Sequence, residues 1–122
     1  MKTEWPKTIT RQQRAAVEEL VRRLHFHYPG RILLTALFGS VARGDFAADS
    51  DIDVLVVADQ VDTDFKWDVW GVGSEVSLEF DVIFNLHVYS HAQWANLRAR
   101  HQTLWRNVER EGIELPPQLV PA

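Results

Sequence analysis

The residues of this sequence best suited to chemistry are a small turn and a pair of acids that follow it closely. Gly39 and Ser40 come directly after the apolar run 32–38, and Asp51 and Asp53 open a second apolar run. Because alternate residues of a β-strand face the same side, the two carboxylates should project together, with Cα atoms roughly 6.5 Å apart. Carboxylates so close repel each other, and Mg²⁺ shared with a nucleoside triphosphate would neutralise them. The spacing therefore predicts a metal site.

The turn before the acids offers the groups that a phosphate needs. Gly39 allows a sharp turn that exposes backbone N–H groups, and Ser40 adds a hydroxyl. Arg43 can supply a planar, permanently charged guanidinium one turn later. A less specific interpretation makes Gly39 and Ser40 an ordinary turn and residues 49–51 polar groups that only aid solubility. That interpretation explains the turn but not the paired acids.

Composition bounds the class of protein. The 122 residues, with 46% apolar and 25% charged, predict one soluble globular domain with a core over about 10–112 and a flexible tail over 113–122. No apolar run approaches the roughly 20 residues of a membrane span. The absence of a signal-peptide pattern and of cysteine predicts a cytoplasmic location. A net charge of −4 makes nucleic acid an improbable direct partner.

The first half of the chain predicts a helix, two strands and a short helical turn. Thr10 and Gln13 form a capping box, from which a helix with an apolar stripe should run to the proline and glycine at 29–30. The nearly continuous apolar run 31–38 predicts a strand buried on both faces. Residues 41–46 have room for one or two helical turns, whose N-terminal amides would point toward a phosphate and which Gly44 would end.

The chain after the acids alternates between helical and extended patterns. Apolar residues recur at helical spacing over 65–80, and Gly71 and Gly73 inside this stretch predict a kink or a shorter helix. Residues 81–89 alternate between apolar and polar, which predicts a third strand.

A second capping box opens the last predicted helix. Ser90 and Gln93 form this box, and the helix should continue to about residue 108 with a break over 100–103. The proline-bearing tail after residue 112 shows too little periodicity for an element to be assigned.

The predicted crossover adds a third acid to the site. A strand–helix–strand connection of this kind should be parallel and right-handed, so that the starts of the second and third strands lie side by side. Asp81 should then meet Asp51 and Asp53, and Glu79 or Asn85 are the alternatives for that space.

Histidine and tryptophan give weaker signals. The histidines lack metal-binding spacing and should be surface or packing residues; they are His25, His27, His87, His91 and His101. Trp67 and Trp70 fall off the main apolar stripe of their helix, which is equally consistent with an interface and with core filling.

The spacing of the turn and the acids resembles that of a known family. Gly-Ser, ten residues and then Asp-x-Asp is similar to the motif of polymerase-β-type nucleotidyltransferases, and GSVARGDFAADSDIDVLVV looks most like the minimal nucleotidyltransferases of bacteria and archaea. The resemblance implies an α/β polymerase-β-like fold in which helices pack on a small mixed sheet. It also implies transfer of a nucleoside monophosphate, with loss of pyrophosphate from ATP.

The resemblance assigns roles to individual residues. The implied nucleotide-binding residues are Gly39, Ser40, Arg43 and Ser50. Asp51 and Asp53 would hold Mg²⁺ at the α phosphate, while Asp81 would complete a second metal site and help to deprotonate the incoming hydroxyl.

The resemblance also implies an acceptor. Minimal nucleotidyltransferases of this size, with a C-terminal sequence like LWRNVEREGIEL, are typically antitoxins paired with a HEPN ribonuclease toxin, and several add AMP to a toxin tyrosine. The alternative is an antitoxin that keeps the fold but silences its toxin by binding alone. The short chain disfavours aminoglycoside nucleotidyltransferases, and its charge and size disfavour a polymerase fragment.

Overall fold

A four-stranded mixed β-sheet forms the centre of the fold in the computed structural model, which describes residues 1–45 and 50–116. In chain order the elements of those ranges are α1 (Arg11–His27), β1 (Ile32–Phe38), α2 (Gly39–Arg43), β2 (Ile52–Ala58), α3 (Thr63–Phe80), β3 (Phe84–Ser90), α4 (His91–Ala99), α5 (Thr103–Glu111) and β4 (Ile113–Glu114). The strand order across the sheet is β3-β2-β1-β4, with β3 parallel to β2 and both other pairs antiparallel. The predicted α/β class with a mixed sheet is confirmed.

The β1–β2 pair brings the turn and the acids to one end of the sheet. The antiparallel register places Phe38, the last residue of β1, opposite Asp53. The chain leaves β1 directly into α2, and Gly44 ends this helix in the left-handed conformation at φ 83°. The predicted short helix and its glycine stop are therefore confirmed, although the helix begins at Gly39 rather than at residue 41; Phe46, its predicted end, lies outside the described residues.

The β2–β3 pair fixes which residues of the third strand meet the acids. The two strands are parallel, and their register places Phe84 beside Ile52 and Asn85 beside Asp53. The predicted start of β3 at residue 81 is wrong by three residues. Asp81 instead caps α3 in the left-handed conformation at φ 53°, so the chain still has to turn before it can enter the sheet.

Helices cover both faces of the sheet. Ile52, Val54 and Val56 point from β2 to the face that packs against α1 and α3, where the larger core lies. Leu55 and Val57 point to the opposite face, where they join a smaller core closed by α5. Because successive residues of a strand alternate between faces, Asp53 belongs to the same face as Leu55.

Helix α3 is continuous from Thr63 to Phe80, so the alternative of a shorter helix is wrong. A Cβ on Gly73 would lie 2.7 Å from Leu86 Cδ1, which means that this glycine serves the close packing of α3 on β3. A glycine inside a helix lowers stability by about 1 kcal/mol relative to alanine, and the close packing of α3 on β3 offsets that cost here. None of the helices in the described part of the chain is long and apolar enough to cross a membrane.

The predicted break in the C-terminal helix is confirmed. Helix α4 ends at Ala99 and α5 begins at Thr103, with His101 between them at φ 50°.

Both ends of the described chain bond to the sheet, which corrects part of the predicted flexible tail. Ile113 and Glu114 pair with β1, and Leu115 is only 2% exposed. Lys2 forms a parallel bridge with Ile113 and accepts a hydrogen bond from the Glu114 N–H at 2.8 Å. Residues 113–116 are therefore not a flexible tail; residues 117–122, the rest of that predicted tail, lie outside the described residues.

Candidate active site

Gly39 and Asp53 make the closest contact of the site. Gly39 has φ 77°, and a Cβ built on it would lie 2.2 Å from Asp53 Oδ2 and 3.0 Å from its Cγ. The carboxylate of Asp53 therefore rests in the space that any other side chain at position 39 would fill. This contact explains why a glycine follows β1, since both the positive φ and the absent Cβ are needed.

Two side chains of β3 hold the carboxylate of Asp53. The Asn85 amide donates to Asp53 Oδ1 at 3.0 Å, and His87 Nε2 lies 3.4 Å from the same oxygen. The His87 ring also packs against Phe38, with ring centroids 4.9 Å apart. These contacts fix Asp53 Oδ1 from the β3 side, while Oδ2 faces the turn at Gly39.

The other predicted residues of the turn and the acid pair lie around this contact. Ser40 is half-buried in the first turn of α2, and Asp51 is exposed immediately before β2. Ser50 is half-buried and lines a cavity of about 390 Å³ together with residues of α1 and the segment 81–83.

Asp81 does not join the acid pair, and the expectation that it meets Asp51 and Asp53 is corrected. It lines the cavity beside Ser50 and Ile52, on the α1 side of the sheet, whereas Asp53 points to the opposite face. The residue that lies beside Asp53 is Asn85, one of the two alternatives weighed for this space. Helix α3 ends on Asp81 as its cap, which keeps this acid three residues outside the strand.

Arg43 has carboxylate partners within the protein. Its Nε donates to Asp45 at 3.1 Å, and its Nη1 donates to the buried Glu111 of α5 at 3.1 Å. The hydrogen bond to Asp45 and the nearby charge of Glu111 raise the pKa of Arg43 above its ordinary value. The pair with Glu111 ties α2 to α5, so this arginine also has a structural role.

His87 is the site residue that the sequence interpretation missed. It carries no metal-binding spacing, and it was assigned to surface or packing. A signal was nevertheless present, because Asn85 and His87 share one face of an alternating strand that was expected to run parallel to β2. The register now places His87 beside Leu55, one step inward from Asp53.

The residues fit a cation shared with phosphates better than a cation held by protein alone. Among the described residues no cluster of three or more acidic, histidine or cysteine side chains is close enough to hold a metal ion. Mg²⁺ is usually bound by one or two carboxylates together with substrate phosphates and water. Asp51 and Asp53, together with the turn at Gly39 and Ser40, match that donor set.

The fold and this site define a nucleotidyltransferase domain. Residues 17–111 match the family described as the nucleotidyltransferase domain, and the chain belongs to that family. A candidate protein adenylyltransferase of Methanocaldococcus jannaschii, MJ0604, is 38% identical over 97 residues, which cover 80% of this chain and 91% of that protein.

Solved structures of similar fold include toxin–antitoxin proteins. A chain of a toxin–antitoxin crystallised with AMP-PNP matches with a TM-score of 0.55 and 24% identity, over 80% of this chain and 70% of that one. A chain of a variant of the toxin–antitoxin MntA–HepT matches with a TM-score of 0.52 and 25% identity, over 77% of this chain and 67% of that one. The chain is therefore a nucleotidyltransferase by family and by fold.

Proposed function

We propose that this nucleotidyltransferase transfers AMP from ATP, with Mg²⁺, to a hydroxyl of a partner protein. The observation that carries the proposal is the contact of the Asp53 carboxylate with the Gly39 turn, because it joins a carboxylate that suits a metal to backbone that suits a phosphate. A relative that covers most of this chain is named as a candidate protein adenylyltransferase, which supports a protein acceptor.

In this proposal the turn binds the leaving group and the acids orient the reacting phosphate. The Gly39 and Ser40 N–H groups and the Ser40 hydroxyl hold the β and γ phosphates, and we also assign nucleotide binding to Ser50, the neighbour of Asp51 in the chain. Arg43 exchanges its exposed partner Asp45 for a phosphate oxygen and keeps Glu111. Mg²⁺, when bound by Asp51 and Asp53, supplies charge neutralisation at the α phosphate.

The transfer exchanges one phosphorus–oxygen bond for another. The acceptor oxygen attacks the α phosphorus in line, the bond from that phosphorus to the bridging oxygen breaks, and pyrophosphate leaves with the electron pair. The hydroxyl proton passes to solvent or to a carboxylate of the site. Asn85 and His87 keep the Asp53 carboxylate in one orientation during this exchange, which is the positioning that phosphoryl transfer chiefly requires.

We further propose that the acceptor is a HEPN-type toxin and that this chain is its antitoxin. The MntA–HepT structures are of a toxin–antitoxin, and the resemblance of the motif region to minimal nucleotidyltransferases points to the same kind of partner. The described residues form one sheet with its packed helices. Such an arrangement suits an enzyme whose acceptor group is presented by another protein.

The experiment combines the purified protein with the HEPN-type protein encoded by the neighbouring gene, ATP and Mg²⁺. We expect a mass increase of one or more AMP units on that protein, and silencing that persists after the two proteins are separated. Asp51→Asn and Asp53→Asn should each lower the rate by at least about a thousandfold, or some 4 kcal/mol of barrier.

The alternative, in which the antitoxin silences its toxin by binding alone, gives a different result in the same assay. If wild type leaves no adduct, the toxin recovers on separation and both variants protect it in the mixture, the catalytic proposal is wrong. Thermal stability gives a second readout, since Mg²⁺ with ATP should raise the melting temperature of wild type but not that of a variant that carries both Asp51→Asn and Asp53→Asn.

A further inference from the structure

A groove runs between α3 and the outer edge of β3. Its volume is about 280 Å³, and its lining residues are Trp70, Gly73, Ser74, Ser77, Phe84, Asn85 and Leu86. We call it the α3–β3 groove. None of these lining side chains carries a charge, so the groove suits a neutral ligand with both apolar and hydrogen-bonding groups.

The backbone of β3 offers unpaired positions to this groove. β3 stands at the end of the strand order, and the Ile52 N–H bonds to the Ile83 carbonyl at 2.8 Å. Because the backbone groups of a parallel strand alternate in direction, Asn85 then faces β2, while Phe84 and Leu86 direct their N–H and C=O groups outward. An extended peptide can pair with such an edge as an added strand.

The hydrogen bond that α3 makes to the backbone of this edge is weak. Trp70 Nε1 donates to the Leu86 carbonyl at 3.4 Å, near the limit of a hydrogen bond. A hydrogen bond this long contributes little stability, so little is lost when another donor replaces Trp70.

Exposed apolar side chains border the groove. Trp67, Trp70 and Leu78 lie on one side of α3 and are 65%, 39% and 86% exposed. The two indoles meet edge to face, with centroids 5.5 Å apart, so they form one aromatic surface. Tryptophan side chains are common anchors of protein interfaces.

Asn85 links the groove, which lies on the α3 face of the sheet, to Asp53 on the opposite face. This residue lines the groove and its amide donates to Asp53 Oδ1 at 3.0 Å. If the pyrophosphate leaves over the Gly39 turn, which follows β1, an in-line acceptor must approach from the opposite side. Since β3 lies across β2 from β1, that side is the side of the groove.

We infer that the α3–β3 groove binds an extended, neutral segment of the acceptor protein, which pairs with the β3 edge and brings its hydroxyl to Asp53. This inference rests on the proposed function and names the surface through which the acceptor is recognised. The backbone of the segment bonds to Phe84 and Leu86. Because successive residues of an added strand alternate between faces, its apolar side chains pack on Trp67 and Trp70 while the hydroxyl projects to the face of Asp53.

The test fills the groove and leaves the nucleotide site intact. Ser74 is exposed within the groove, so Ser74→Trp should occupy it without disturbing the core. With the neighbouring gene's HEPN-type protein as acceptor, we expect KM for that protein to rise by about tenfold or more, with kcat at saturating acceptor unchanged. The stabilisation by Mg²⁺ with ATP should equal that of wild type.

Two controls isolate the groove. Asp68→Trp adds the same side chain to an exposed position on the other side of α3 and should leave KM unchanged. Hydrogen exchange should show protection of the Phe84 and Leu86 amides when the acceptor binds to wild type, and none with Ser74→Trp.

The outcomes separate this inference from the proposal beneath it. Transfer by wild type with an unchanged KM in Ser74→Trp overturns the groove and leaves the proposed function standing. No transfer by wild type overturns the proposed function itself. A wild-type dimer that Ser74→Trp dissociates, with transfer unaffected, would assign the groove to a second copy of this chain and overturn the inference.

Discussion

At the scale of single residues, Gly39 combines two requirements that can be tested apart. Gly39→Ala would strain a backbone at φ 77° and drive Cβ into the Asp53 carboxylate, whereas Gly30 has φ 75° and nothing within 4 Å of a built Cβ. We expect Gly30→Ala to lower the free energy of unfolding by about 1–2 kcal/mol through strain alone. Gly39→Ala should lower it further and abolish nucleotidyl transfer, as measured by urea unfolding and adduct formation.

The comparison of Gly39→Ala with Gly30→Ala tests the contact between Gly39 and Asp53. Equal losses of stability in the two variants, with transfer retained in Gly39→Ala, would show that Asp53 does not depend on the space at Gly39.

A second residue-scale prediction concerns the position beside Asp53. Asn85→Ala removes the amide that orients Asp53, and we expect it to reduce kcat by about tenfold or more, since misplaced groups lose rate steeply. Asp81→Asn keeps the cap of α3 and should change kcat by less than about twofold, because Asp81 faces the cavity on the α1 side. A large loss of kcat in Asp81→Asn would instead restore this acid to the metal site predicted from the sequence.

At the scale of elements, an ion-pair network joins α1 to α3. Glu19 accepts hydrogen bonds from Arg22 at 2.7 Å and from Arg23 at 2.6 Å, and Arg23 also bonds to Glu79 of α3. The hydrogen bond from Arg22, followed by that from Arg23, lowers the pKa of Glu19 from 4.5 to about 2. A carboxyl whose pKa is depressed by folding stabilises the protein above its unfolded pKa, and that contribution is lost as the pH falls through the folded value.

We therefore expect Glu19→Gln to lower the free energy of unfolding by about 1–2 kcal/mol at neutral pH, after allowance for solvent screening. The difference from wild type should shrink as the pH falls from 4.5 to about 2. Urea unfolding over that range measures it. The control is Glu18→Gln, whose partner Arg14 lies on the same helix and is exposed, and which should cost less than about 0.5 kcal/mol. A pH-independent difference for Glu19→Gln would contradict the network.

At the scale of the whole molecule, the C-terminal segment completes the sheet. The Leu115 N–H bonds to the Thr35 carbonyl at 2.8 Å, and the Thr35 hydroxyl donates to the Leu115 carbonyl at 2.6 Å. Leu115→Ala should lower the free energy of unfolding by about 2–5 kcal/mol, as buried leucines do. Leu33→Ala, at a 52% exposed position of β1, should cost less than about 1 kcal/mol. If both variants lost only a similar, small free energy of unfolding, residues 113–116 would be a flexible tail, as the sequence predicted.

The sequence by itself determined the local features of this protein. The capping boxes at Thr10 and Ser90, the glycine stop at Gly44 and the break near His101 depend on neighbouring residues, and the structure contains each of them. The Gly-Ser and Asp-x-Asp motifs could also be recognised from the sequence, and the family match spans them, while their phosphate and metal roles stay predictions.

Only the tertiary structure decided how distant segments meet. Register across the sheet decides where β3 begins and which of its residues contact Asp53. It also decides how Ile113 pairs with β1. The same holds for Gly73, which looked like a helix breaker until its contact with Leu86 was known. A shift of one or two residues in a strand changes which side chains face a site, and the local pattern does not encode that shift. For this reason the acid pair could be predicted from the chain, whereas the contacts of Asn85 and His87 with Asp53 required the register of the sheet.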